Sequence, residues 1–197
     1  DVNLDGRFEI VVVYDTDNSL TVDVWSPELY CDESGWQTGG HSNELMWSWT
    51  NTDYRIGITS PHFQTRQSNH LSVTQPLLAD LELDGTPELV LTVVDTTTDD
   101  PHILSLPLGS NSPTENWDVT LDRGTHPSDP AWAQLDGQNS VVVATTIDEN
   151  SGNMWVWRLD GSTGSNDWGR VSLSGTDTDS DAPRLRLPSP VVAQLDS

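Results

Sequence analysis

An all-β chain assembled from repeated four-stranded antiparallel units is the fold class this sequence predicts, and three observations predict it. The acidic segment Asp1-Val-Asn3-Leu-Asp5-Gly6-Arg7-Phe-Glu9-Ile10 returns 79 residues later as Asp80-Leu-Glu82-Leu-Asp84-Gly85-Thr86-Pro-Glu88-Leu89. A Pro-x-apolar-Ala-x-Leu phrase recurs at Pro76–Leu81, Pro130–Leu135 and Pro190–Leu195, its Ala residues 54 and 60 positions apart. Val-rich, β-branched runs bounded by Asp, Asn and Gly mark strands, and no stretch shows capped apolar residues at helical spacing.

Each unit repeats one order of elements. A short apolar strand, the Pro-x-apolar-Ala-x-Leu phrase, leads into the acidic loop. A strongly β-prone strand follows: Glu9 to Asp15, Glu88 to Asp95 and Ser140 to Ile147. An alternating strand comes next: Leu20 to Trp25, His102 to Pro107 and Asn153 to Leu159. After a polar turn, a strand carrying Trp completes the unit, at Asn116 to Leu121 and Asp167 to Leu173. In the first unit Leu45 to Trp49 takes that closing place.

Four antiparallel strands in each unit of 50 to 60 residues is the arithmetic of a β-propeller blade. The boundaries expected are 1–73, 74–128 and 129–187, with the start of a fourth blade over 188–197. Three blades and part of a fourth form an incomplete ring, so the remaining blades are expected from a longer chain. The runner-up, a β-sandwich, does not require the same phrase at the head of every unit. The first unit is longer by roughly 20 residues, and the excess is placed in an insertion at 26–43, rich in Gly, Ser and acid.

Composition excludes several functions. The formal net charge is −23; all eight basic residues are Arg, and Asp outnumbers Glu by 23 to 8. Such a field repels phosphate backbones and anionic lipid, which argues against nucleic-acid binding and membrane-surface roles. No apolar run approaches the 18 or so residues of a membrane-spanning helix. Cys31 stands alone and forms no internal disulfide. The five His have no metalloprotease spacing, and there is no Gly-x-Ser-x-Gly elbow.

The acidic loops carry the chemistry. Oxygen-bearing side chains at loop positions 1, 3, 5 and 9, with a Gly at position 6 for the sharp bend, suit a hard cation, and Ca²⁺ is the usual occupant of a flexible all-oxygen site. The competing reading is a hairpin whose Asp side chains satisfy backbone N–H groups.

Asp-x-Asn-x-Asp-Gly-x-x-Glu-Ile followed by Val-Val-Val resembles the cation loop of FG-GAP/VCBS repeats, the type found in the integrin α-subunit propeller. Residues Pro76 to Val90 are close to that family's repeat pattern. The stretch from Trp155 to Trp168, with Leu159-Asp160-Gly161-Ser-Thr-Gly164 at its centre, is similar to quinoprotein-type propeller repeats, in which such a turn is joined by a Trp that docks between blades. The first resemblance implies metal ligands at Asp1, Asn3, Asp5 and Glu9, and at Asp80, Glu82, Asp84 and Glu88, with backbone carbonyls from Arg7 and Thr86. Glu at position 9, and Glu82 at position 3 of the second loop, depart from the family pattern. The third loop keeps only Asp136 and Gly137, and aligning Ala133 with Ala79 sets Ser140 opposite Glu88 with two residues missing. No metal is expected there.

Among the Trp residues, Trp117 and Trp168 are read as packing residues at equivalent places. Trp155 and Trp157 share one side of their strand, opposite Met154 and Val156. Trp36, Trp47 and Trp49, near the insertion, are candidate sugar-stacking platforms. The reading is a Ca²⁺-binding propeller of a secreted or surface protein that recognises a protein or glycan, or serves as a scaffold, without catalysis. The alternative is a propeller domain of a secreted carbohydrate-active or quinoprotein-like enzyme whose catalytic residues lie elsewhere.

Overall fold

The computed structural model describes residues 9–16, 19–26, 29–32, 35–38, 44–57, 74–108, 114–135, 139–148, 153–166, 170–173 and 190–192, with the backbone alone for 29–32, 35–38, 44, 135, 139, 170 and 173. Among these there is no helix, and every strand pairing is antiparallel.

The first sheet holds β1 (Ile10–Thr16), β2 (Ser19–Ser26) and β5 (Glu44–Asn51), in the order β1-β2-β5. Between β2 and β5 the chain forms a separate hairpin, β3 (Leu29–Asp32) with β4 (Gly35–Thr38). The insertion expected to be a loop therefore contains paired strands.

The second and third sheets share one plan. In the second, β8 (Glu88–Asp95), β9 (Pro101–Pro107) and β10 (Trp117–Thr120) run in order, and the free side of β8 is covered by two short pieces. These are β6 (Tyr54–Ile56), opposite Val93 to Asp95, and β7 (Leu77–Ala79), opposite Glu88 to Val90. In the third, β13 (Asn139–Ile147), β14 (Met154–Asp160) and β15 (Arg170–Leu173) take these places, with β11 (His126–Pro127) and β12 (Ala131–Leu135) as the two pieces. Tyr54–Ile56 falls within 1–73 and His126–Pro127 within 74–128, yet each hydrogen-bonds to the sheet that follows.

Register makes the units comparable residue by residue. Ala79 lies opposite Glu88 and Ala133 opposite Val141, so Val141, not Ser140, is the counterpart of Glu88, and one residue is missing rather than two. The extra length is also relocated. Leu77 follows Gly57 by 20 positions, whereas Ala131 follows Ser128 by 3; Trp47 follows its partner Val24 by 23, whereas Trp117 follows its partner Ser105 by 12. Most of the added length therefore enters between β6 and β7.

The sheets pack face to face in sequence order. Leu20, Val22, Val24, Trp47 and Trp49 of the first sheet share one core with Leu89, Leu91, Val93, Leu104 and Leu106 of the second. Val90, Ile103 and Trp117, from the other face of the second sheet, share another core with Val142, Ala144, Trp157 and Leu159 of the third. β8 is thus covered on both sides and reads as a continuous apolar run, while β1 alternates exposed and half-buried residues.

Candidate acidic loop and the junction between sheets

The loop between β7 and β8 is the one acidic loop that the structure describes throughout. Its first strand ends at Ala79, and the β-branched run from Glu88 begins the next, so both ends are anchored in the sheet. Asp80 folds the bend around itself: Oδ1 accepts from Asp84 N at 3.0 Å and Oδ2 from Gly85 N at 2.9 Å. Asp84 Oδ1 accepts from Thr86 N at 2.8 Å. Gly85 has φ of 92°, the left-handed conformation expected of the position-6 glycine. Leu83 adopts φ of 59°, a strained value for a residue with a β-carbon, at a cost of about 1 kcal/mol.

Glu88 closes the loop from beneath. It is 3 % exposed, and its Oε2 accepts from Leu81 N at 2.7 Å. Burial pushes its carboxyl up to about 7; the Leu81 N–H opposes that, and the neighbouring charges of Glu82, Asp84 and Asp80 add to it.

Among the described residues no three His, Cys, Asp or Glu side chains are gathered closely enough to hold a metal ion. Asp80, Asp84 and Glu88 here serve backbone N–H groups, as the competing hairpin reading requires. The donor chemistry nevertheless suits a hard cation: every side-chain donor is a carboxylate oxygen, and an oxygen that accepts one N–H keeps a second lone pair. Asp80, Glu82, Asp84 and Glu88 are the residues that would hold Ca²⁺, with Thr86 as the carbonyl donor. In the first loop Asp1, Asn3, Asp5 and Arg7 lie outside the described residues, and Glu9 is half-buried at the foot of β1. In the third unit apolar Val141 takes the place of Glu88, which removes the closing carboxylate.

The loop is tied to the third sheet by a relay of hydrogen bonds. Ser140 Oγ donates to the Leu81 carbonyl, Gly161 N donates to the Ser140 carbonyl at 2.9 Å, and Trp117 Nε1 donates to the Gly161 carbonyl at 2.8 Å. Glu88, Leu81, Ser140, Gly161 and Trp117 thus form one continuous chain of contacts across the junction.

The Trp residues resolve differently from expectation. Trp47 and Trp49 are 7 % and 8 % exposed and belong to the first core, so neither offers a face to a sugar. Alternation places both on the face of β5 turned toward the second sheet. Trp47 Nε1 donates to the Leu108 carbonyl of that sheet at 3.1 Å. By register Trp47 is the counterpart of Trp117, and Leu108 of Gly161. Trp36 lies on β4 opposite Cys31, its side chain outside the description, and Trp168 is also outside it.

A second polar group was not legible in the sequence. Both Asp118 oxygens are engaged, one by Tyr54 Oη and one by His102 Nδ1 at 2.8 Å. The Tyr54 and His102 rings lie 5.2 Å apart. Burial, then the Asp118 carboxylate, hold the Tyr54 phenol well above its usual value. Residues 54, 102 and 118 meet only through strand register, and no local spacing signals them.

No protein-family model, no curated protein and no solved structure matches this chain.

Proposed function

We propose that this chain is a propeller-type array of the FG-GAP/VCBS kind, in which further four-stranded units complete a ring and the acidic loops bind Ca²⁺, and that it acts outside the cell in recognition of a protein or glycan, or as a scaffold, rather than as an enzyme. The observation that carries the reading is Glu88. A carboxyl 3 % exposed, set beside Asp80, Glu82 and Asp84, is costly to ionise, because burial and then the neighbouring negative charges oppose its charge. Bringing a divalent cation to that centre offsets the repulsion and converts strained turn geometry into a ligand cage. Repetition of the loop in the first unit supports the same reading, as does the junction relay, which holds the loop to the next sheet.

The test is a calorimetric titration with Ca²⁺ at high fixed salt, on the intact chain and on the Asp5→Ala/Asp84→Ala double variant. Saturable uptake of about two ions, one per loop, that disappears in the variant is the expected outcome. A flat titration of the intact chain would reduce the loops to turn chemistry.

A further inference from the structure

Four Asp-Gly pairs occur in the chain, at 5–6, 84–85, 136–137 and 160–161, and the described residues include two of them, Asp84-Gly85 and Asp160-Gly161. An Asp-Gly peptide is open to attack on its own side chain, because Gly puts no β-carbon beside the nitrogen and leaves the backbone free to turn. Both described pairs adopt the same local fold. Asp84 Oδ1 accepts from Thr86 N at 2.8 Å, and Asp160 Oδ1 accepts from Ser162 N at 3.1 Å. A carboxyl bonded to the N–H two residues on is folded forward over the intervening peptide, the Gly nitrogen included. The donated hydrogen bond also stabilises negative charge that develops on the carboxyl oxygen during attack at its carbon.

What differs is the hold on each glycine. Gly161 is buried; its N–H donates to the Ser140 carbonyl at 2.9 Å, and its carbonyl accepts from Trp117 Nε1 at 2.8 Å. A β-carbon on it would collide with Ser140 Oγ, so this peptide has no room to turn. Asp160 takes three more hydrogen bonds, from Ser162 Oγ, Thr163 N and Thr163 Oγ1. Partial burial opposes its ionisation, but the Ser162 and Thr163 bonds outweigh that and hold it below the usual carboxylate range, and a carboxylate has no hydroxyl to lose. Gly85 is exposed, and its N–H is held by a side-chain oxygen, Asp80 Oδ2, at 2.9 Å. Among the described residues no heavy atom outside its chain neighbours lies within 4 Å of the place a β-carbon on Gly85 would take.

We infer that Asp84 is a self-modification site of this chain, where the loop isomerises to isoaspartate, and that the second junction protects the matching site at Asp160. The Gly85 nitrogen bonds to Asp84 Cγ; the proton of that nitrogen and the hydroxyl of the Asp84 carboxylic acid leave together as water, and a five-membered cyclic imide remains. Water then opens the ring. Entry at the side-chain carbonyl carbon restores aspartate; entry at the backbone carbonyl carbon leaves the chain running through the side chain, one methylene longer. The added methylene falls inside the bend that the Asp80 and Asp84 carboxyls hold together. The inference is independent of cation binding.

The test is incubation of the intact chain with chelator, at neutral pH and physiological temperature, in water enriched in heavy oxygen. Peptide mapping with electron-transfer fragmentation separates isoaspartate from aspartate at each site. The expected result is isoaspartate carrying one heavy oxygen at Asp84, formed at least about tenfold faster than at Asp160, where buried hydrogen bonds must break first. In denaturant neither turn persists, and the two sites should convert at similar rates. A folded chain that converts both sites alike, or that leaves Asp84 intact while the denatured chain converts it, overturns the proposal. Isoaspartate without heavy oxygen overturns the route through the imide.

Discussion

The indole Nε1 of Trp117 donates to the carbonyl of Gly161 at 2.8 Å, across the junction of the second and third sheets. The Trp47 indole and the Leu108 carbonyl repeat the relation one unit earlier, at 3.1 Å. A large flat side chain at the edge of one sheet thus caps the strand end of the next. It supplies apolar area on its faces and satisfies a backbone acceptor at its rim.

Replacing Trp117 with Phe keeps most of the packing and removes that hydrogen bond. The expected loss is about 1 kcal/mol or somewhat more, because a buried carbonyl is left without its donor. Trp117→Ala should cost about 3–5 kcal/mol. Denaturant unfolding followed by circular dichroism checks both, and equal losses for Phe and Ala would contradict the role given to the ring.

Gly164 lies at φ of 68°, and a β-carbon there would come within 2.8 Å of the Trp117 ring. Gly164→Ala therefore adds a left-handed backbone penalty of about 1 kcal/mol to a steric clash. In the Trp117→Ala background the clash with the ring vanishes, while the backbone penalty and a tight 3.0 Å approach to Val119 Cγ2 stay. A double-mutant cycle by thermal unfolding should show this non-additivity.

Asp160 sets the pH response of the same turn. Partial burial pushes its carboxyl up, but hydrogen bonds from Ser162 and Thr163 outweigh that and hold it below the usual range. Its folded-state value is depressed, so its contribution is present above the unfolded value near 4 and is lost as pH falls through the folded value. Thermal melts between pH 7 and pH 2, compared with Asp160→Asn, should show a smaller acid-induced drop in the variant.

Glu88→Gln keeps an oxygen for the Leu81 N–H and removes the buried charge. Without divalent cations the variant should be as stable as the parent or more so at pH 8, since desolvation and repulsion no longer act. With Ca²⁺ the parent should gain stability by mass action and the variant should not. A calcium-dependent rise in Tm of the same size in both chains would remove Glu88 from the ligand set.

Much of this arrangement is legible in the sequence, for identifiable reasons. β8 runs over Glu88–Asp95 as read, because an unbroken β-prone run, Leu89 to Val94, between Pro87 and the Thr96 turn leaves little choice of ends. Trp155 and Trp157 lie toward the second core and Met154 and Val156 opposite, as strict alternation requires. β6 and β11 were missed: three and two residues are too few to display a period, and their partners are fixed by register with a distant strand. Trp47 was misread as a sugar platform because its equivalence to Trp117 runs through strand pairing, across connections of different length. The Tyr54–His102–Asp118 group escaped for the same reason.

The split edge of each complete sheet has a consequence for how such a chain grows. The chain enters the second sheet at β6 and the third at β11, and only afterwards lays down the strand that leads to the loop. A duplicated or deleted segment therefore cannot be cut at the gap between sheets without leaving half an edge behind. Its natural ends fall inside an edge, between the two short pieces, where both sides are already held by β8 or β13. Between β6 and β7 the chain has absorbed its largest difference in length and the β8 ladder has not shifted. The inheritable module and the folded module are out of phase by that one short strand.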